Sequence, residues 1–303
     1  MIAPGDAVCL TLVWVLRERM TVGRIAKGRS IISGDATGPS LSKEETVKKY
    51  LSSFLLIICL SLGFSVARAA LTGDSTVGQS WQTAAKHSSG IAPDPEQWAD
   101  TAIVQVYIAP TFGWRGYFAV HPWLIYKRLG ETHFTRFDVV GWGGENVIRR
   151  NYALPDGLWY GSQPKLLVDH RGSHVETMID EIEAAIVRYP YPQTYRMYPG
   201  PNSNTFLAHI GREVPGLELD LPANAIGKDY RSITDPVGMS ATGTGIQASF
   251  LGLLGVSLGL QEGIELNVLG LDFGLDLNHP ALRLPFFGRL GMDNLVRDIR
   301  DEN

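Results

Sequence analysis

One serine stands where a loop gives way to a predicted helix. Ser203 follows the run Pro199-Gly200-Pro201-Asn202, in which two prolines fix φ and oppose a helix. Phe206, Leu207 and Ile210 then have the three- and four-residue spacing of a helix's buried face. Free backbone N–H groups and the positive end of the helix dipole gather at such a start, and both stabilise a developing anion. The position suits a nucleophile, with an ordinary helix cap as the alternative.

A serine nucleophile needs a base nearby, because its hydroxyl is a poor nucleophile at its own pKa. The chain has seven histidines. His121 lies within the apolar stretch 119–123, where a polar side chain is either a hydrogen-bonded structural residue or a base in a dry cleft. Asp138, on the next predicted strand, is the candidate for orienting it.

Other side chains could complete a site. The amide of Asn202 or Asn204, with the backbone N–H of Ser203, could hold an oxyanion. An acyl or glycan groove could also be lined by tryptophans, although aromatic residues lie more often in the core. These tryptophans are Trp114, Trp123, Trp142 and Trp159.

Asp169, His170 and His174 have the spacing of metal ligands, but their neighbours favour a solvated turn. Arg171 places a positive charge between them, and Ser173 is predicted to cap a helix. We therefore expect neither a metal nor a cofactor.

Runs of β-branched and aromatic residues predict strands at 102–109, 117–127 and 132–142, with a short one at 166–168. Pro122 in the second run predicts an edge strand or a bulge, because proline cannot donate to a ladder.

Two helices follow these strands. Ser173 and Glu176 have the spacing of a capping box that opens a helix over 174–189, and the Ser203 helix extends to 213. The pattern predicts an α+β fold, in which an antiparallel sheet packs on helices.

Residues 236–292 predict a glycine-rich β extension. Eight glycines lie between 243 and 274, and apolar residues alternate with period two at 256–260 and 264–268, which favours twisted hairpins. A membrane-surface segment is the alternative, but four acidic residues argue against contact with an anionic surface. These are Glu262, Glu265, Asp272 and Asp276.

The charge of the chain argues against some partners. Its 303 residues carry a formal net charge of −4. Residues 1–69 hold nine of the 27 basic and five of the 31 acidic residues, which leaves 18 against 26, a net −8, for the remainder. An acidic body without a basic stripe is a poor partner for nucleic acid. We expect a peptide, lipid or cell-wall substrate instead.

Residues 47–69 have the parts of a secretory signal. Lys48-Lys49 precede an uncharged apolar run at 50–66, and Ala67-Arg68-Ala69 resembles a cleavage site. The run is short for a membrane span, which needs about 20 apolar residues. We predict cleavage after Ala69, with an uncleaved anchor as the alternative. Both predict an exported protein, either periplasmic or anchored on the outer face of the inner membrane.

The flanking stretches predict little structure. Signals normally begin near the initiator, so residues 1–46 are a doubtful leader, with a disordered arm as the alternative. Val47 would be a natural start if its codon were GTG. Residues 70–100 predict a linker, and 293–303 a polar tail.

The order of the candidate residues resembles the circularly permuted papain-like superfamily, which includes permuted NlpC/P60 peptidases, lecithin:retinol acyltransferase-like proteins and PPPDE peptidases. In them a strand histidine precedes a nucleophilic cysteine that opens a helix. Asn202-Ser203-Asn204-Thr205-Phe206 matches the helix motif with serine in place of cysteine, and His121 matches the histidine.

This resemblance implies a permuted papain-like core over 101–235 and a hydrolase or acyltransferase for amides or esters. An alcohol loses its proton less readily than a thiol, so Ser203 would need His121 as a true general base. The alternative is a non-catalytic envelope protein that binds a peptide, lipid or glycan in a degenerate cleft.

A closer resemblance covers nearly all of residues 100–290 and points to a bacterial domain family of unknown function, for which it implies no reaction. The motifs that carry it are Gly113-Trp114-Arg115-Gly116, His121-Pro122-Trp123, Val140-Gly141-Trp142-Gly143, the stretch 199–206 and Ala225-Ile226-Gly227-Lys228-Asp229-Tyr230.

Overall fold

The computed structural model describes residues 42–72 and 76–292. Most of the predicted leader and the predicted tail at 293–303 lie outside these residues. The chain divides into two compact units, 1–55 and 56–303. Of the first unit, the structure describes only the start of a long helix.

This long helix, α1, extends over Lys43–Thr72 and contains the whole predicted signal. It opens with a capping pair, in which Ser42 Oγ accepts from the Glu45 N–H and Glu45 Oε2 accepts from the Ser42 N–H. Its most apolar 18-residue window has a mean hydropathy of 2.2. The helix is therefore long and apolar enough to cross a membrane, a property that a signal sequence shares.

The first sheet is antiparallel, with strand order β4-β3-β2-β1-β5. Its strands are β1 (Ile103–Pro110), β2 (Val120–Lys127), β3 (Thr135–Val139), β4 (Ile148–Arg150) and β5 (Lys165–Arg171). A 3₁₀ turn at Gly113–Tyr117 joins β1 to β2. These two strands pair along their full length, from Ile103 opposite Lys127 to Pro110 opposite Val120.

The two faces of this sheet have different contents, because successive side chains of a strand point to opposite sides. One face packs on the helices α2 (Val175–Val187) and α3 (Ser203–Glu213). The core there includes Val106 and Leu124 from the sheet, and Ile179 and Phe206 from the helices. The other face carries an aromatic cluster, defined here as Tyr107, Trp123, Trp159 and Tyr160 with the apolar residues around them. The predicted α+β fold, an antiparallel sheet packed on helices, is confirmed.

Pro122 does not lie on an edge strand, contrary to the prediction. β2 is the middle strand of the sheet. Its pairing with β3 extends only from Tyr126 to Leu124, whereas its pairing with β1 continues through Pro122. The proline therefore lies beyond the part of β2 that β3 pairs with, where a missing N–H costs no ladder bond.

The predicted capping box at α2 is also wrong. The residue before the helix is His174, and no side chain caps the first turn. Glu176 instead accepts hydrogen bonds from the Leu129 N–H and from Arg128, 47 and 48 positions away. A tertiary ion pair has replaced the local cap.

The second sheet is a seven-stranded antiparallel meander with order β12-β11-β10-β9-β8-β7-β6, which confirms the predicted hairpins. Its strands are β6 (Val237–Met239), β7 (Gly245–Phe250), β8 (Leu254–Gly259), β9 (Gly263–Val268), β10 (Leu271–Asp276), β11 (Ala281–Leu284) and β12 (Gly288–Gly291).

Gly263 has φ +71°, and a Cβ there would lie 2.2 Å from the Leu275 carbonyl oxygen. Only glycine fits this close turn.

Candidate active site at the start of helix α3

The cap of α3 is Asn202, and Ser203 is the first helical residue. Asn202 Oδ1 accepts from the N–H groups of Asn204 at 2.9 Å and Thr205 at 3.2 Å. Thr205 Oγ1 accepts from the Asn202 N–H at 3.0 Å, which completes a capping box. Such a cap contributes about 1 kcal/mol. The alternative interpretation gave the cap to Asn202 and Ser203 together; Asn202 makes it, and Ser203 follows as the first helical residue.

Ser203 itself is buried, with 4% of its surface exposed. Within residues 76–292, neither its hydroxyl nor its backbone N–H has a hydrogen-bond partner. The next N–H groups of the helix are engaged by Asn202. A donor and a hydroxyl at the positive end of the helix dipole are therefore left without a structural partner.

The side-chain amides of Asn202 and Asn204, which were predicted as oxyanion donors, make hydrogen bonds within the protein. Asn202 Nδ2 donates to the carbonyls of Met197 and Ile226 at 3.1 and 3.0 Å. Asn204 Nδ2 donates to those of Val120 at 3.2 Å and Ile226 at 2.9 Å. An amide nitrogen carries two hydrogens, so both are already occupied. The Ser203 N–H is the candidate donor that remains.

The loop that holds these amides approaches the helix closely. Gly227 has φ +99°, and a Cβ there would lie 2.4 Å from Asn202 Nδ2. Its carbonyl accepts from Thr205 Oγ1 at 2.7 Å. This packing explains a glycine within Ala225-Ile226-Gly227-Lys228-Asp229-Tyr230, since any side chain would displace the cap.

His121 and Asp138 come together on the aromatic face of the first sheet. His121 Nε2 lies 3.2 Å from Asp138 Oδ1, and both side chains are buried. Trp159 stacks on the imidazole, with 3.6 Å between ring centroids and 6° between planes. The ring is thus fixed from one side by a carboxylate and from another by an indole.

Arg136 holds the carboxylate in turn. Its Nε donates to Asp138 Oδ2 at 2.7 Å and its Nη2 to Oδ1 at 2.8 Å, a bidentate pair. Its guanidinium also lies 4.2 Å from the Trp123 ring. Sequence reasoning missed Arg136, although its position two residues before Asp138 on one strand places both on the same face.

Burial lowers the pKa of His121 below its ordinary 6.5, and the hydrogen bond to Asp138 offsets this only in part. For Asp138, burial raises the pKa, but the charge of Arg136 and the hydrogen bonds outweigh it, so the pKa falls below 3.8. At neutral pH the pair is therefore a neutral imidazole beside a carboxylate. Because a carboxylate only accepts, the ring proton lies on Nε2 and Nδ1 is the basic nitrogen.

The start of α3 and the start of β2 are adjacent, since Asn204 donates to the Val120 carbonyl. Yet in the described residues no hydrogen bond joins Ser203 to His121. His121 contacts the aromatic cluster, whereas Phe206 and Leu207 of α3 pack on the other face of the sheet. The structure thus unites His121 with Asp138 and leaves Ser203 outside that pair.

The candidate tryptophans lie in different environments. Trp123 is fully buried and donates to the Pro155 carbonyl at 2.8 Å, so it is part of the core and we assign it no contact with a substrate. Trp142 and Trp114 are 47% and 62% exposed. Trp142 lies 6.3 Å from Trp159, which covers His121, so it borders the histidine's surroundings.

The histidines once considered as metal ligands have other partners. Asp169 is paired with Arg171 at 2.7 Å, and His170 bonds the Leu217 carbonyl at 3.0 Å. Across residues 42–72 and 76–292, no cluster of three histidine, cysteine or acidic side chains is arranged to hold a metal ion.

Comparison with known proteins finds one similar domain family and no reaction. Residues 101–230 match the family model described as Protein of unknown function (DUF3750). No curated protein and no solved structure matches the chain, so these comparisons give no support to the papain-like resemblance. The matched range contains His121, Asp138 and Ser203 and ends before β6. Residues 101–230 of this chain are therefore similar to a domain family of unknown function.

Proposed function

We propose that this domain is a serine-nucleophile hydrolase or acyltransferase that acts on an amide or ester of the cell envelope. The observation that carries the proposal is the buried His121–Asp138 pair, a neutral base held in one orientation. Ser203 supports it as a buried hydroxyl for which the described residues provide no hydrogen-bond partner.

In this mechanism Ser203 Oγ attacks the carbonyl carbon of the substrate while His121 Nδ1 takes the hydroxyl proton. The Ser203 N–H donates to the oxyanion. The intermediate then collapses, and the leaving amine or alcohol receives the proton from His121. Water or a second alcohol or amine releases the acyl group by the same steps in reverse. Proton transfer requires Oγ to approach Nδ1 to about 3 Å, which we expect on substrate binding.

The second candidate is a binding protein without catalysis. It is favoured by the lack, among the described residues, of a hydrogen bond between Ser203 and His121. In that case the His121–Asp138–Arg136 chain stabilises the aromatic cluster, and the domain binds a peptide, lipid or glycan.

A fluorophosphonate probe separates the two. We expect it to label the wild-type protein, and we expect Ser203→Ala to abolish labelling and His121→Gln to slow it at least 100-fold. Ser203→Ala should stay within about 0.5 kcal/mol of wild type in urea unfolding, because its hydroxyl makes no hydrogen bond to residues 42–72 or 76–292.

Two variants serve as controls. Ser173→Ala removes an exposed serine two residues before α2, and His170→Gln changes a buried strand histidine outside the site. Both should label at the wild-type rate. Folded wild-type protein that takes up no probe, or labelling that survives in Ser203→Ala, would refute catalysis by Ser203.

A further inference from the structure

The second sheet is buried on its polar side and exposed on its apolar side. Its outward positions are apolar and either exposed or partly exposed, in rows that cross neighbouring strands. One row contains Met239, Ile246, Leu258, Ile264, Leu275, Leu282 and Leu290. A second contains Val237, Ala248, Val256, Leu266 and Phe273. We call these two rows, with Phe250 and Leu254, the apolar face; Ile246, Phe250 and Leu254 are 58–62% exposed.

The inward positions of the same strands are polar and buried. They include Gln247, Ser249, Ser257, Glu265, Asn267, Asp272, Asp276 and Arg283. Residues of the preceding segment pair with them: Lys228 with Glu265 at 2.6 Å, and Asp220 with Arg283 at 2.6 Å. The polar side of the sheet therefore makes ion pairs and hydrogen bonds inside the protein, and the hydrocarbon side is left outside.

This location of the acidic residues removes the objection raised by the sequence. Glu262, Glu265, Asp272 and Asp276 are all at most 3% exposed and do not share the apolar face. In the seven strands, no outward position carries a charged or hydrogen-bonding side chain. A surface next to this face would meet only methyl, methylene and phenyl groups.

The face is large. Four strands of six residues, each about 20 Å long, and three strands of three or four residues, each about 10–13 Å long, lie about 4.8 Å apart and cover roughly 550 Å², within the range of the largest apolar patch of a typical monomer. A stable interface between two proteins buries about 800 Å² on each partner and carries hydrogen bonds as well. This face offers no side-chain hydrogen bond, so a second copy or a specific protein partner fits it poorly.

We propose that the apolar face lies on a lipid bilayer, with its side chains in contact with acyl chains. Lipid hydrocarbon needs no polar contact, which matches a face without any. Helix α1 is long and apolar enough to be a membrane span or a signal sequence, and either one brings the same chain to a membrane. Contact of this kind buries an apolar surface by about 5–10 Å, with the polar groups kept away from the hydrocarbon.

Site-specific labelling of the full chain in vesicles tests this. In a Cys9→Ser/Cys59→Ser background, single cysteines are introduced as Leu266→Cys on the apolar face and Val187→Cys at the end of α2, which is 86% exposed. Each carries a polarity-sensitive fluorophore in vesicles of phosphatidylethanolamine and phosphatidylglycerol. Because α1 is present in both labelled proteins, membrane attachment through α1 alone cannot cause a difference between the two labels.

We expect the label at 266 to shift to the blue on addition of vesicles and to lose at least half its emission with brominated acyl chains. The label at 187 should do neither. The proposal is overturned if both labels respond alike, or if the label at 266 is shielded from water but not quenched by brominated lipid. Shielding that depends on protein concentration would identify a second copy as the occupant instead.

Discussion

Burial lowers the pKa of His121 and the Asp138 carboxylate raises it, and the effect of burial is the larger of the two. The result suits a general base, because the imidazole stays neutral where the nucleophile must lose its proton. Asp138 remains ionised because the positively charged Arg136 donates two hydrogen bonds to its carboxylate. The free-energy cost of burying the Asp138 charge is offset by the neighbouring Arg136 charge.

This environment predicts how stability depends on pH. The unfolded His121 has a pKa near 6.5 and the folded one a lower pKa, so between the two values the unfolded state binds more protons. The free energy of unfolding should therefore fall as pH decreases below about 6.5. His209, whose pKa is also lowered by burial, adds to the same slope.

Urea unfolding at pH 7.5, 6.5 and 5.5 measures this. His121→Gln should retain only the part of the slope due to His209, and the double variant His121→Gln/His209→Gln should lose most of it. The rate of probe labelling in the wild type should fall over the same range, since protonated His121 is no base. A single variant that keeps the full slope would contradict the pKa assignment.

At the scale of elements, buried ion pairs connect the second sheet to residues 101–230. Lys228 Nζ lies 2.6 Å from Glu265, 3.3 Å from Asp229 and 3.5 Å from Asp272. Burial and the neighbouring Asp229 raise the pKa of Asp272 well above its usual range. One ammonium group thus compensates several carboxylates in a dry environment.

Loss of that ammonium should be costly. We expect Lys228→Met to lower the free energy of unfolding by about 3–5 kcal/mol, because it leaves buried carboxylates uncompensated. Lys165→Met, at an exposed lysine of β5, should change it by less than about 0.5 kcal/mol. Chemical denaturation at pH 7 compares the two.

A second change completes this test. Adding Glu265→Gln to Lys228→Met removes one of the orphaned charges and should recover part of the loss. If Lys228→Met alone stayed within about 1 kcal/mol of wild type, the cluster would not be what fastens the sheet.

Elements were predicted well where a pattern is local. The strands β1 and β2 and the helix α3 follow from residue type and spacing. The edge position of Pro122 and the cap of α2 were wrong, because both depended on partners far along the chain. Register with β3 decides the first, and Arg128 and Leu129 decide the second.

For the whole molecule, we propose that α1 exports the domain and is removed. Mass spectrometry and N-terminal sequencing of the protein from a Gram-negative envelope should find a chain that begins at Ala70. Ala69→Phe should prevent this processing, because the peptidase needs a small residue before the cut. Wild-type protein that keeps residues 47–69 would make α1 an anchor.

The sequence alone determined what depends on neighbours in the chain: the apolar run of α1, the helix start at Ser203, the alternation of the hairpins and the family motifs of 101–230. The sequence also predicted that His121 and Asp138 lie on adjacent strands. In the structure, Leu124 of β2 pairs with Phe137 of β3. If this register continues by one residue, Asp138 lies opposite Trp123 and diagonal to His121. Only the tertiary structure decided which side of each strand is buried. The alternation of apolar and polar residues along a strand has the same period whichever face of the sheet is buried. The residues that cover a face come from distant parts of the chain, as Lys228 does when it pairs with Glu265 of the second sheet.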